Sequence, residues 1–336
     1  MPELRKNIAT NEWVIISAER AKRPDEILEK RATTEQLPPY KENCPFCLGN
    51  ENKTPPELFR VGTKDKWEIR VIPNKFPALS GDQPPILTND GVIQRMDGVG
   101  IHEIIVETPF HNLCIPFMKD EEIENLLNVY KQRYLESEKK EYIKHIIIFK
   151  NYGLSGGTSL EHPHSQLIAL PVVPIIVSYR IQAALNYYHN SYKCVFCTMI
   201  DEEIRRKERI VIESEHFLTF IPYAAYSPFH TWIFPKKHSI SFGEIHPDEL
   251  KDLAKALKTY LLKIYKGLNN PSYNLVIRSM PCKGIKIEKR ETAEFHWYIA
   301  VVLRLTSTAG FEMGSGMFIN VSLPENDAAY LRNISI

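Results

Sequence analysis

Five consecutive residues, His162, Pro163, His164, Ser165 and Gln166, carry the densest chemistry in this chain, and they lead into the apolar run Leu167 to Leu170. Side chains on a strand alternate between faces, so two imidazoles at i and i+2 entering a strand point the same way. Just upstream lies a glycine-rich loop, Gly153 to Ser159. The backbone N–H groups of such a loop can cradle an anion such as phosphate. A histidine held against that cradle can attack phosphorus and carry the group covalently. Taken alone, the two histidines also fit hydrogen-bonded polar residues at a strand edge, and the choice depends on what surrounds them.

The chain has 336 residues, which suits two domains or two halves of one. Hydrophobic residues make up 43%, an ordinary globular value, so the chain can build a core. The formal net charge is +1 and the basic residues form no sustained stripe, which argues against binding nucleic acid. The start, Met1 to Lys6, lacks the apolar core of a secretory signal. The greasy stretch Leu167 to Val177 is interrupted by Pro171 and Pro174 and is too short to span a bilayer. A cytoplasmic protein with no membrane or nucleic-acid partner is expected.

Six cysteines fall as Cys44/Cys47, Cys114, Cys194/Cys197 and Cys282. In a reducing compartment two CxxC pairs are read as metal clamps or redox sites before structural disulfides. A redox CxxC opens a helix after a strand, whereas Cys44 follows the loop Leu37 to Asn43, so zinc is favoured. Cys114 and Cys282 have no partner in this pattern and are expected to be packing residues.

Read from each CxxC, the chain repeats itself. After Cys44/Cys47 come strand candidates Trp67–Ile72 and Ile101–Val106, the latter ending near His111. A helix with Asp120 as N-cap presents Ile123, Leu126, Leu127, Tyr130 and Tyr134 on one face, and the strand Ile143–Phe149 precedes the HPHSQ segment. After Cys194/Cys197 the order recurs: Arg209–Ile212, Thr231–Phe234 ending at His238, and a helix capped by Asp248 with Leu250, Leu253, Leu257, Tyr260 and Ile264 on one face. Tyr273–Arg278 follows, and then the run Phe295 to Val302. His296 falls where His162 does, Tyr298 where His164 does, and Ala300 where Gln166 does.

That asymmetry separates structural histidines from chemical ones. Positions kept in both halves behave as a requirement of the fold. Cys44, Cys47, His111 and His162 would form one Cys2His2 zinc site, and Cys194, Cys197, His238 and His296 the other, with His230 competing for the place of His238. Four protein ligands leave no open position, so both sites would be structural. His164 has no counterpart and is the candidate nucleophile or general base.

These residues resemble a known family. Cys44-Pro-Phe-Cys47, Asn151 eleven residues before His162, Ser159 and His162-Pro-His164-Ser-Gln166 are similar to the galactose-1-phosphate uridylyltransferase family of the histidine-triad superfamily. Arg20-Ala-Lys-Arg23-Pro24, Pro73 to Leu79 and Phe311-Glu-Met-Gly314 match it elsewhere, so the likeness covers nearly the whole chain. The resemblance implies ping-pong transfer: His164 takes the nucleotidyl group from a nucleotide sugar, and a hexose 1-phosphate then removes it. It further implies that Gln166 donates to a phosphate oxygen and that Arg20 and Arg23 hold phosphate. Asn74 would contact ribose or base, Asn151 and Ser159 would line the phosphate loop, and Phe311 and Gly314 would belong to a hexose-phosphate segment. Ser165, in place of the Gly or Cys common in uridylyltransferases, and the second CxxC are also similar to the plant ADP-glucose phosphorylase branch, which transfers an adenylyl group to phosphate.

The expected fold is α+β: two histidine-triad-like halves, residues 1–175 and 176–336, each an antiparallel sheet with a packed helix, related by a pseudo-twofold. The leading functional expectation is uridylyl transfer between UDP-glucose and galactose 1-phosphate, with two zinc (or iron) sites and a homodimer implied by the resemblance. Transfer from ADP-glucose to phosphate, a nucleotide phosphohydrolase and a zinc-stabilised nucleotide-binding module without turnover are the alternatives.

Overall fold

The computed structural model describes residues 1–20, 37–283 and 295–336. Its frame is a ten-stranded sheet. The first half contributes β3 (Phe59–Gly62), β4 (Trp67–Pro73), β7 (Ile101–Val106), β8 (His145–Tyr152) and β9 (His164–Leu170). The second contributes β10 (Ile210–Glu213), β11 (Phe217–Phe220), β12 (Thr231–Pro235), β13 (Tyr273–Arg278) and β14 (Tyr298–Leu303). Two strands, β1 (Glu3–Lys6) and β2 (Trp13–Ile16), join β15 (Phe318–Asn320) in a small sheet, and β5 (Leu87–Asp90) and β6 (Ile93–Met96) form a hairpin.

The order across the large sheet is β10-β11-β12-β14-β13-β8-β9-β7-β4-β3, every pair antiparallel. Counted outward from the central β8–β13 pair, each half repeats the same order, which is the pseudo-twofold expected from the sequence. The expected sheets are fused: Tyr273 to Ile277 of β13 pair with Tyr152 to Ile148 of β8. The order also corrects one match in the repeat. Arg209–Ile212 had been set against Trp67–Ile72, but β4 corresponds to β11 and β10 to β3. Phe217–Phe220 and Phe59–Gly62 are too short to be picked out by alternation alone.

Two long helices pack on one face of the sheet, α1 (Asp120–Glu138) and α4 (Pro247–Gly267). Their apolar faces fall where periodicity places them: Ile123, Leu126, Leu127, Tyr130 and Tyr134 of α1 share one core with Leu250, Leu253, Leu257, Tyr260 and Ile264 of α4. The caps sit slightly earlier than expected. Lys119, not Asp120, is the N-cap of α1, and its N–H donates to Glu122 Oε2 at 2.7 Å. His246, not Asp248, caps α4, with its N–H on Glu249 Oε2 at 2.8 Å and Pro247 at the first helical position. In each case a glutamate three residues on reaches back to an orphan N–H, which an aspartate already inside the helix cannot do.

On the opposite face each half has its own apolar cluster around its CxxC. Two helices there were not expected, α2 (Ile175–Ser191) and α3 (Val195–Arg206). Only Ile181 and Ala184 of α2 are fully buried, so no apolar stripe marks it. Strand β8 starts at His145 rather than Ile143, whose N–H closes a turn on the Lys140 carbonyl. Two short elements complete the described chain, α5 (Gly310–Ser315) and α6 (Pro324–Asn333). Among the described residues no helix is long and apolar enough to cross a membrane.

Leu253 is fully buried in the core shared by both halves. Leu253→Ala should cost about 2–5 kcal/mol, from lost transfer energy plus an unfilled cavity. Urea denaturation checks this, and a loss under 1 kcal/mol would contradict a single shared core.

Candidate active site and metal centres

The first CxxC lies in a turn, and its cluster is built from four separate segments. Cys44, Cys47, His111 and His162 are all buried, with ligand atoms within 4.8 Å of one another. Nδ1 of His162 lies 3.6 Å from Sγ of both Cys44 and Cys47, and Nδ1 of His111 is 3.5 Å from Sγ of Cys47. Zinc–sulfur bonds of ~2.3 Å and zinc–nitrogen bonds of ~2.1 Å at the tetrahedral angle put S and N about 3.6 Å apart. The donor set therefore fits a closed tetrahedral ion in both identity and spacing. Nε2 of His162 donates to the carbonyl of Thr108 at 2.8 Å, leaving Nδ1 as the lone-pair donor.

The second cluster gathers Cys194, Cys197, His238 and His296, again within 4.8 Å. Cys197 Sγ is 3.3 Å from His238 Nδ1 and 3.9 Å from His296 Nδ1, a wider spread than in the first cluster. It is also less sealed: the two cysteines are half-buried and His238 is exposed. Here Cys194 caps α3, so this CxxC does open a helix, yet two histidines converge on it as a metal site requires. His230 is not a ligand; it is buried elsewhere and its Nε2 accepts from Trp232 Nε1 at 3.0 Å. None of the six cysteines forms a disulfide, and Cys114 and Cys282 are buried packing residues.

Strand β9 begins at His164, which is 7% exposed. Its Nδ1–H donates to the carbonyl of His162 at 2.8 Å, which leaves the Nε2 lone pair free. Burial lowers the pKa of His164 more than the bond to His162 raises it, and the charge of Lys150 lowers it further. The ring is thus neutral at neutral pH, the form that can act as a nucleophile. Its edge meets the Phe46 ring, with centroids 5.4 Å apart.

Gln166 shares the face of His164, and its amide is oriented by His102 on β7, a residue the sequence reading did not single out. Ala78 donates its N–H to His102 Nδ1 at 3.0 Å, so the ring proton sits on Nε2 and is given to Gln166 Oε1 at 2.9 Å. The amide NH2 of Gln166 then has no hydrogen-bond partner among the described residues. Asn74 joins the same group, since its Oδ1 accepts from Phe76 N–H at 2.9 Å and its Nδ2 lies 3.0 Å from His102 Nε2. Both nitrogens carry hydrogen, so neither accepts from the other. The clue to His102 was strand alternation, which puts it on the same face as Ile104 and Val106, opposite Ile168, two positions along β9 from Gln166.

Beneath β9 lies a second network absent from the sequence reading. Lys150 Nζ and Glu107 Oε2 form a 2.7 Å ion pair whose side chains are 2% and 0% exposed. Ser165 Oγ donates to Glu107 Oε1, and Tyr130 OH lies 3.2 Å from that oxygen and 2.6 Å from Ser165 Oγ. Lys150 also reaches the His164 carbonyl at 3.4 Å, while the Glu107 N–H donates to the Pro163 carbonyl at 3.2 Å. Charged residues embedded in otherwise apolar strands were the available signal.

The remaining site residues are placed as follows. Asn151, on β8, has its Oδ1 held by Asn274 Nδ2 at 2.9 Å, and the same amide binds the Gly156 carbonyl of the glycine-rich loop at 2.7 Å. That loop needs glycine at Gly153, where φ is +74° and a Cβ would collide with Ser272. Ser159 is exposed, and no hydrogen bond among the described residues ties it to His164 or Gln166. Phe311 and Gly314 lie on α5 in the second half and make no hydrogen bond or ring contact with His164. Arg20 ends a short 3-10 turn; its side chain, and Arg23 entirely, lie outside the described residues.

The family model for the galactose-1-phosphate uridyl transferase N-terminal domain matches residues 1–174, and that for its C-terminal domain matches residues 175–335. The chain belongs to this family. Over its full length it is 38% identical to ADP-glucose phosphorylase of Arabidopsis thaliana, covering 93% of that relative. It is 30% identical over its full length to galactose-1-phosphate uridylyltransferase of Thermotoga maritima, covering 99% of that protein. Among solved structures it resembles the Arabidopsis thaliana ADP-glucose phosphorylase with bound ADP-glucose, at TM-score 0.84 and 36% identity with both chains fully covered. A uridylyltransferase structure matches at TM-score 0.75 and 25% identity, over 99% of this chain and 97% of that one.

Metal contributes folding energy outright in closed clusters of this kind. Cys44→Ser should therefore lower Tm and remove one equivalent of bound metal, measured by melting and elemental analysis together. A chelator should strip the half-exposed second cluster before the buried first one, and loss in the reverse order would contradict the burial argument.

Proposed function

We propose that this enzyme transfers a nucleotidyl group through a covalent intermediate on Nε2 of His164. The observation carrying this reading is the 2.8 Å bond from His164 Nδ1 to the His162 carbonyl, which frees Nε2 in a neutral, buried ring. In the first half-reaction Nε2 attacks the α-phosphorus of a nucleoside diphosphate hexose. The bond from that phosphorus to the bridging oxygen breaks, hexose 1-phosphate leaves, and the positive charge gained by the imidazole is shared with the His162 carbonyl. In the second, a phosphate oxygen of the acceptor attacks the same phosphorus and the P–N bond returns its pair to Nε2.

Gln166 would give its free amide hydrogen to a non-bridging oxygen as charge develops there, and the Asn74 amide offers a second donor nearby. Arg20, Arg23, Asn151 and Ser159 are proposed to hold the remaining phosphate oxygens. The first half, residues 1–175, carries the chemistry and the second, 176–336, a degenerate copy of it. Both clusters would hold zinc, supplying structural cross-links and no open coordination position. Phe311 and Gly314 lie on α5 in the second half, with no hydrogen bond or ring contact to the His164 of their own chain among the described residues. We assign them to hexose-phosphate binding across the interface of a homodimer. Six cysteines without a disulfide fit a cytoplasmic protein.

The donor and acceptor we propose are UDP-glucose and galactose 1-phosphate, the pair implied by the family. Adenylyl transfer from ADP-glucose to phosphate is the second reading. It is supported by the 38% identity and TM-score 0.84 to a relative of that name.

Intact mass measurement after incubation with each nucleotide sugar, without acceptor, should reveal one uridylyl or adenylyl group on His164. His164→Asn should abolish both adduct and turnover while leaving metal content and Tm unchanged. Exchange surviving in that variant would sink the nucleophile assignment.

Burial lowers the His164 pKa from the ordinary histidine value of about 6.5, so any acid limb of adduct formation should be centred below that value. A falling limb centred above 6.5 would oppose this.

A further inference from the structure

In the second half, on the face where the first half keeps His164, a small cavity lies between the N-terminal segment, α2 and the sheet. Tyr298 opens β14 as His164 opens β9, each two residues beyond a histidine of a metal cluster. We propose that this cavity binds a single small inorganic anion of chloride size.

Four buried donor atoms with no partner among the described residues line it: Nε and Nη1 of Arg180, Nδ1 of His230 and Oγ1 of Thr10. His230 is 2% exposed. Its Nε2 accepts from Trp232, so the ring proton is on Nδ1, the atom that has no acceptor. Burial, reinforced by Arg278 and Arg180, lowers the pKa of His230 well below its usual value, so the ring is a neutral donor. Arg278 also lines the cavity, its guanidinium 6.0 Å from the Tyr298 ring centre. Neither guanidinium has an ion-pair partner among the described residues. Glu12 is the one carboxylate in the lining, so two positive charges face one negative.

An unsatisfied buried donor costs the desolvation of that group, and more when the group is charged. Water brings two hydrogens of its own into a space already dominated by donors and cannot answer the excess positive charge. A monatomic anion accepts from every direction at once. The available space, about 10 Å3 for the centre of a water-sized sphere, suits one such particle. The anion would pin Thr10 to α2 and the second sheet face, tying the start of the chain to the half that has lost the nucleophile.

The test uses the full-length protein, titrated with sodium chloride and, at matched ionic strength, with sodium gluconate. Chloride should raise Tm saturably where gluconate does not, since a ligand bound only by the folded state stabilises it by mass action. The rise should vanish in Arg180→Gln, which leaves adduct formation on His164 unchanged. Chlorine-35 NMR on the unaltered protein should show excess line width that bromide removes, which keeps the proposal testable if the variant does not fold. Equal effects of chloride and gluconate, or no excess line width, would overturn it. So would a saturable rise produced by orthophosphate and not by chloride, because the cavity would then have to admit an oxyanion.

Discussion

The hydrogen bond from His164 Nδ1 to the His162 carbonyl decides which ring nitrogen is free, and much of the first half is arranged to hold that carbonyl still. Three successive backbone carbonyls are involved. That of His162 takes the imidazole proton, that of Pro163 takes the Glu107 N–H, and that of His164 lies within reach of Lys150. The His162 ring is fixed from both sides, by Thr108 on Nε2 and by the two thiols near Nδ1. A structural cluster two residues away thus sets the tautomer of the proposed nucleophile without touching it.

The buried Glu107–Lys150 pair is costly to bury and strong once formed, because removing one partner strands the other charge in a dry interior. Its energetic return is ordinary; what it adds is geometry. Glu107 gathers Ser165, Tyr130 and Lys150 at one carboxylate, so a shift of β9 along its axis would break several charge-assisted bonds together. In the second half the position of His164 is Tyr298, stacked on Phe234 among aromatic rings, with the Arg278 guanidinium over its ring. The cluster is common to both halves and the nucleophile is not, which fits a metal that serves the fold.

Much of this was legible in the chain because duplication supplied an internal comparison. CxxC pairs, long-range histidines and helix faces could be checked against their copies, and the eight proposed metal ligands meet as two sets of four. Residues whose role depends on pairing across strands were not legible. His102 reaches Gln166 through a register between β7 and β9 that no local pattern encodes, and Glu107 meets Lys150 across 43 positions of sequence. Helix α2 was hidden for a different reason: proline at its start and few buried positions make it resemble an interrupted apolar run. The short strands β3 and β11 fell below the length at which alternation is informative, which shifted one match in the repeat.

The fusion of the halves through β8 and β13 carries a mechanical consequence. Backbone hydrogen bonds run without a break from β10 to β3, so among the described residues the copies are joined by sheet and not by a linker alone. Substrates cannot be enclosed by one half folding over the other, as in enzymes that clamp between lobes. Both half-reactions must then take place on a static platform. The departing sugar phosphate and the arriving one would use the same doorway in turn, so the second could enter only when the first had cleared it.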